Sequence, residues 1–261
     1  MAKIRAVFTD IDNTLTSPIT HEIPQSAVRA LELARKNGIQ VVAATGRNLI
    51  GSLKQVLEKL EFDAYITVNG QYCYLPDGTT LRFAPFDPVV VERTIELSLE
   101  HGFFASYFEK DRIYVNGIDP LMEDFFSILK SPVPPILPSE KIDKEGILSI
   151  IPFVPHTSDE HLRSALPECQ LLRWNPYACD LVPKSGGKEV GLSNVLEHFG
   201  LSQDECLAIG DGGNDVGMIS TAGVGVAVGG AVRAAKDAAD FIAPRVDDNA
   251  IEVTFKHFGL I

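Results

Sequence analysis

Short, unbroken apolar runs alternate with amphipathic segments between Ile4 and Val68, and no other feature constrains the fold as strongly. Ile4–Phe8 predicts a buried strand. Pro24–Lys36 sets Ala27, Leu31 and Ala34 at helical spacing and stops at Asn37-Gly38. "IQVVAAT" predicts a second strand, Leu49–Leu60 a second helix and "AYITV" a third strand. Strands without polar alternation are buried on both faces, which is the pattern of a parallel sheet sandwiched between helices.

The pattern resumes after Lys184. A helix over Glu189–Phe199 closes at Gly200, then come the strand "CLAIG", a short helix Asp215–Thr221, the strand "GVGVAV", and helices over Val232–Lys236 and Asp247–Phe258. Both ends therefore predict one doubly wound, Rossmann-like α/β domain. The middle differs. It offers a hairpin in "QYCYLPDGTTLRF" around Asp77-Gly78, a helix Val89–His101, and strands near Phe103–Phe108 and Arg112–Val115. Beyond the Pro-rich "SPVPPILP" follow a strand near Ile147–Ile151, a helix Ser158–Leu166, and strands near Gln170–Trp174 and Ala178–Val182. Helices among antiparallel pairs predict an inserted α+β domain. The expected division is core 1–81, insertion 82–183 and core 184–261.

A chain of 261 residues, 45% apolar, can bury both parts. Its 23 basic against 35 acidic residues give a net charge of −12, which disfavours nucleic acid and anionic membranes as partners. A phosphorylated ligand would need local positive charge. No apolar stretch approaches the roughly 20 residues of a membrane span, and "MAKIRAVF" lacks a signal-peptide core. Cys73, Cys169, Cys179 and Cys206 show no CxxC or Cys/His ligand spacing, so the expectation is a cytoplasmic protein with reduced thiols. Monomer and homodimer both stay open.

In open α/β sheets the reactive crevice lies beyond the carboxyl ends of the strands. Four polar stretches fall there: "DIDNT" after the first strand, "TGR" (Thr45–Arg47) after the second, "SGGK" with Lys188 opening a helix, and "GDGGND" (Gly210–Asp215). Asp10, Asp12, Asp211 and Asp215 crowded together would repel one another unless a hard cation with oxygen ligands sat among them, and Mg²⁺ fits that set. Thr45 and the N–H groups after it offer neutral donors to an oxyanion, and Lys188 adds one compact positive charge. A carboxylate nucleophile, a second carboxyl for proton transfer, a metal and phosphate donors describe phosphoryl transfer through an aspartyl-phosphate.

DxDxT, Thr-Gly-Arg after the second strand, a later Lys and GDxxND, in this order, resemble the haloacid dehalogenase (HAD) superfamily, and specifically its Cof-type phosphatases with a type-2 (C2B-like) cap. "TVNGQY", "GDGGNDVGMISTAGVGVAV" and "AAKDAADFI" match the wording of that group, and the resemblance covers essentially the whole chain. It implies that Asp10 is the nucleophile and Asp12 the general acid/base. It implies Mg²⁺ on the Asp10 carboxylate, the Asp12 backbone carbonyl and Asp211, with Asp215 just outside these ligands. Thr45, Gly46, Lys188 and Asn214 would contact the phosphoryl group. Asn13 stands where Gly is commoner, and "KSGGKE" departs from the usual lysine motif, leaving Lys184 as an alternative to Lys188.

The implied activity is hydrolysis of a small phosphorylated metabolite, with a phosphomutase and a noncatalytic phosphometabolite-binding protein as alternatives. A mutase would need a convergent Arg/Lys cluster for a second phosphate, and the insertion's basic residues are sparse. Leaving-group choice falls to the insertion, where Arg112, Tyr114, Arg173, Trp174 and Asn175 are the candidates.

Overall fold

The structure, a computed structural model, describes residues 3–48, 60–128 and 131–261. The helix expected over Leu49–Leu60 lies outside them except for its last residue. β1 (Ala6–Thr9) leads to α1 (Gln25–Lys36), β2 (Gln40–Ala44), β3 (Ala64–Thr67), β4 (Tyr72–Tyr74) and β5 (Thr80–Phe83). Next come α2 (Pro88–His101), β6 (Ala105–Phe108), β7 (Ile113–Val115), α3 (Pro120–Ile128), β8 (Ser149–Pro152), α4 (Asp159–Ala165), β9 (Cys169–Asn175) and β10 (Ala178–Pro183). The chain continues through α5 (Lys188–Phe199), β11 (Cys206–Gly210), α6 (Val216–Thr221), β12 (Val224–Ala227), α7 (Arg233–Ala238), β13 (Phe241–Ile242) and α8 (Ala250–His257). Two compact units result, one built from the chain up to Phe83 and from Gly186 onward, the other from Ala84–Ser185.

The first unit is organised by an eight-stranded sheet in the order β13-β12-β11-β1-β2-β3-β4-β5. Six of its strands run parallel, and the β4/β5 hairpin extends it antiparallel to β3. Alternate residues feed two cores. Val7, Val41, Ala43, Leu207 and Ile209 join α1, α7 and α8 on one face, while Phe8, Val42, Ala44 and Ala208 join Leu192, Val195 and Leu196 of α5 on the other. Each buried Val, Leu, Ile or Phe side chain contributes about 1.5–3 kcal/mol. That double coverage is the reason these strands carry no polar alternation.

The inserted unit is a five-stranded antiparallel sheet in the order β7-β6-β8-β10-β9. One core gathers Val91 and Ile95 of α2, Tyr107, Ile150, Leu181 and Leu162 of α4; a smaller one gathers Val115, Phe153, Ala178 and Met122 and Phe126 of α3. α3 was not expected. Its start is nonetheless written locally, because the Asp119 carboxylate accepts the N–H of Met122 at 2.9 Å ahead of Pro120 in the first turn. The helix expected over Asp247–Phe258 is broken: a 3₁₀ turn Val246–Asp248 ends at Asn249, whose φ of 64° interrupts the winding before α8.

All four cysteines are free and buried, and burial pushes the thiols of Cys73 and Cys179 up to about 12 and those of Cys169 and Cys206 up to about 11. A raised thiol pKa leaves less thiolate at a given pH, so at pH 8 the folded protein should react with a disulfide reagent at least about a hundredfold more slowly than an ordinary thiol. Titration of the thiols before and after unfolding in urea checks this; the full count should appear only on unfolding.

Candidate active site

The strand order reverses between β1 and β11, where β1 pairs in parallel with β2 on one side and β11 on the other. Such a reversal opens a crevice at the carboxyl ends. Thr9 lies beside Ile209, so Asp10 and the Gly210–Asp215 loop leave the sheet side by side. Asp10 is pinned by its own N–H, which donates to the carbonyl of Ile209 at 2.9 Å.

Lys188, the first residue of α5, is completely buried and donates to Asp10 Oδ1 and to Asp215 Oδ1, each at 2.6 Å. Burial alone would lower its pKa, but the two carboxylates outweigh burial and hold it above its ordinary value. Lys184, by contrast, is exposed, so the fold buries Lys188 and not Lys184 against the acids. The other Asp215 oxygen accepts the N–H groups of Asp211 and Gly212 at 2.9 and 2.8 Å, clamping the loop. Gly210 makes the clamp possible, since a Cβ there would stand 2.4 Å from that of Asp215.

Burial raises the pKa of Asp10 well above the usual carboxylate range despite Lys188, and burial with the charge of Asp215 raises Asp211 to about 6. Ligand oxygens of Asp10, Asp211 and Asp215 all lie within 4.8 Å of one another. Three carboxylates against one ammonium would leave two negative charges uncompensated in a buried crevice. A divalent, oxygen-seeking cation matches both that charge and that donor set.

The turn after β1 passes through Asn13 at φ 57°, a left-handed conformation Asn tolerates, and sends Thr14 back to donate to Asp211 Oδ1 at 3.3 Å. Asp12 points elsewhere. Its half-exposed carboxylate is forked by Arg47, through Nε at 2.7 Å and through Nη2. Thr45 is buried at the end of β2, its hydroxyl accepting the N–H of Arg47 at 3.1 Å. Asn214 donates its amide to Asn69 Oδ1 at 2.9 Å, and Asn69 also packs against Gly46. Arg47 and Asn69 were not singled out from the sequence, although both lie in motif stretches, "TGR" and "TVNGQY".

The five residues expected to read the leaving group all lie in the inserted unit. Arg112 pairs with Glu109 at 2.6 Å and stacks over Tyr114, whose buried ring donates its hydroxyl to the same carboxylate at 2.8 Å. Arg173 spends its guanidinium internally: Nε and Nη2 bind Asp159, and Nη1 meets the carbonyls of Val154 and Asn175 at 3.2 and 3.0 Å. A fork so used ties β9 to α4. Trp174 is 51% exposed with its indole N–H on Asp180 at 2.9 Å, and the Asn175 side chain caps a turn by accepting the N–H of Tyr177.

The chain is similar to known proteins over nearly its whole length. The haloacid dehalogenase-like hydrolase family matches residues 7–254. The Bacillus subtilis protein YkrA is 28% identical over 260 residues, 98% of each chain, and the HMP-PP phosphatase of Cronobacter sakazakii is 28% identical over 89% of this chain and 86% of its own. BT1666 from Bacteroides thetaiotaomicron, described as a phosphatase of the superfamily, has a TM-score of 0.93 at 30% identity, covering 99% of this chain and 96% of its own. The subclass IIB sugar phosphatase BT4131 has a TM-score of 0.90 at 31% identity, covering 98% of this chain and all of its own. The chain belongs to the haloacid dehalogenase-like hydrolase family, as an enzyme of its Cof-type phosphatase branch.

Removing one member of a buried ion cluster strands the charges it served, at about 3–5 kcal/mol. Lys188→Met should therefore destabilise the metal-free protein by that order at neutral pH, in urea unfolding monitored by circular dichroism. Adding Asp215→Asn to it should return part of the loss.

Proposed function

We propose that this enzyme is a Mg²⁺-dependent phosphatase that hydrolyses a small phosphorylated metabolite, a sugar phosphate or a similar monoester, through an aspartyl-phosphate on Asp10. One observation carries the proposal: the Lys188 ammonium, shut off from water, sits 2.6 Å from Asp10 and supplies positive charge where phosphoryl oxygens must lie when that carboxylate attacks. The sugar phosphatase BT4131 and the HMP-PP phosphatase support a small phosphorylated substrate. A net charge of −12 opposes binding of a polyanion such as nucleic acid. Four buried free thiols agree with a cytoplasmic setting, and among the described residues no helix is long and apolar enough to cross a membrane.

In the first half-reaction an Asp10 carboxylate oxygen attacks phosphorus. The bond to the leaving oxygen breaks, an acyl phosphate forms, and Asp12 gives its proton to the departing alkoxide. In the second half Asp12, now a carboxylate, takes a proton from water as the water oxygen attacks phosphorus. The bond from phosphorus to Asp10 breaks, inorganic phosphate leaves, and both acids return to their starting forms. The Arg47 fork orients the Asp12 carboxyl group. Thr45, Gly46, Lys188 and Asn214 hold the phosphoryl oxygens in both halves. The Asp10 carboxylate, the Asp12 backbone carbonyl and Asp211, backed by Asp215, would hold Mg²⁺, which when bound supplies positive charge against the phosphoryl oxygens and helps align the attack. Selection of the leaving group falls to the inserted unit, with Trp174 its most exposed aromatic candidate.

Asp10→Asn keeps the side-chain volume and removes the nucleophile, so turnover of p-nitrophenyl phosphate should fall by at least about a thousandfold in a protein with wild-type circular dichroism. Chelation should abolish wild-type activity, Mg²⁺ should restore it, and Ca²⁺ should not, because the larger ion takes more ligands. Asp10→Asn retaining more than a few per cent of activity, or full activity after exhaustive chelation, would overturn the mechanism. Trp174→Ala should lower kcat/KM for the best phosphorylated metabolite about tenfold while changing p-nitrophenyl phosphate hydrolysis by less than about threefold.

A further inference from the structure

Val68, Asn69 and Gly70 are consecutive residues with φ of 52°, 52° and 87°. For Gly the left-handed region is free, and Asn tolerates it. A β-branched Val there is strained by about 1–2 kcal/mol, a conformation that persists only where the surroundings enforce it. The turn is buried, with Val68 3% and Asn69 1% exposed. Gly70 is obligatory, since a Cβ at that position would stand 2.1 Å from the carbonyl oxygen of Gly187.

The strain brings one residue against three stretches that carry phosphoryl donors. The Asn69 N–H donates to the Thr45 carbonyl at 3.1 Å, and its own carbonyl accepts the N–H of Gly187, the residue before Lys188, at 3.1 Å. Its Oδ1 accepts from Asn214 Nδ2 at 2.9 Å. Its amide also stands where a Gly46 side chain would begin, 3.0 Å from Oδ1 and 3.2 Å from Nδ2. An amide nitrogen carries two N–H groups in one plane, so occupying one of Asn214's fixes the direction of the other.

We infer that Asn69 is a positioning residue for phosphoryl binding: presented by the strained Val68–Gly70 turn, it sets Thr45–Gly46, the Lys188 helix start and the Asn214 amide in mutual register. Its contacts are with the residues that carry the donors. The inference rests on the phosphoryl site proposed above and adds a residue which that proposal does not use.

The test is steady-state kinetics with p-nitrophenyl phosphate and competitive inhibition by inorganic phosphate. Asn69→Gly keeps the left-handed backbone and both main-chain hydrogen bonds while deleting the amide. It should raise KM and the phosphate inhibition constant together by about tenfold. A merely structural role would shrink the active fraction, lowering kcat and leaving both constants in place. Because Asn69 acts partly through Asn214, Asn69→Gly with Asn214→Ala should raise the inhibition constant by less than the product of the single effects. Should Asn69→Gly fold poorly, Asn69→Asp keeps the left-handed tolerance and the acceptor for Asn214 but replaces the Nδ2 donor with an anionic oxygen, and the inhibition constant should rise again. Unchanged constants in the folded Asn69 variants, or a fully multiplicative double variant, would overturn the inference alone. An unchanged constant in Asn214→Ala would overturn the phosphoryl site itself.

Discussion

A buried ammonium between two carboxylates is the interaction on which the first unit is organised. Lys188 reaches Asp10 and Asp215 at 2.6 Å each with no exposure to water. Desolvating three charged groups costs several kcal/mol per ion, and only close, multiple, charge-assisted hydrogen bonds offset it. The neighbourhood supplies that geometry. β1 and β11 run in register to bring Asp10 beside the Gly210–Asp215 loop, and backbone N–H groups of Asp211 and Gly212 hold Asp215. Gly187 at φ 130° lets the chain enter α5 where Lys188 can reach both acids. The cluster remains electrically incomplete, because Asp211 adds a third acid that no second buried lysine balances among the described residues. An imbalance of that kind is a poor way to stabilise a fold and a good way to bind a divalent cation.

The inserted unit is built on a different principle. It carries two apolar cores of its own around an antiparallel sheet, and several of its charged side chains pair within it. Arg173 satisfies Asp159 and a group of main-chain carbonyls, and Glu109 binds Arg112 and Tyr114 together. Charges used this way fix loops and strand ends.

Much of this was legible in the sequence because it is local. Strand runs, the Asn37-Gly38 stop and the Asp77-Gly78 hairpin each depend on a few neighbouring residues, and all appear close to where the pattern puts them. α3 escaped notice because it is short and its apolar residues serve a small separate core, although Asp119-Pro120 announces its start. The break at Asn249 escaped because helical periodicity continues on both sides of a single left-handed residue.

Asp10, Asp12, Thr45, Lys188, Asp211 and Asp215 could be singled out from the chain because their residue types sit in polar stretches at predicted strand ends, where a doubly wound sheet gathers chemistry, and Asn214 because of the family resemblance. Which of them face one another could not. Sequence spacing fixes position along a strand but not which strands become neighbours, and only the β11-β1-β2 order puts Lys188 between Asp10 and Asp215 and leaves Asp12 to Arg47. Asn69 shows the same limit most clearly. Alone it is a turn residue in a glycine-containing pair; its contacts with Thr45, Gly187 and Asn214 join segments distant in sequence. Hydrogen bonds act over about 3 Å, and only the folded chain brings such segments that close.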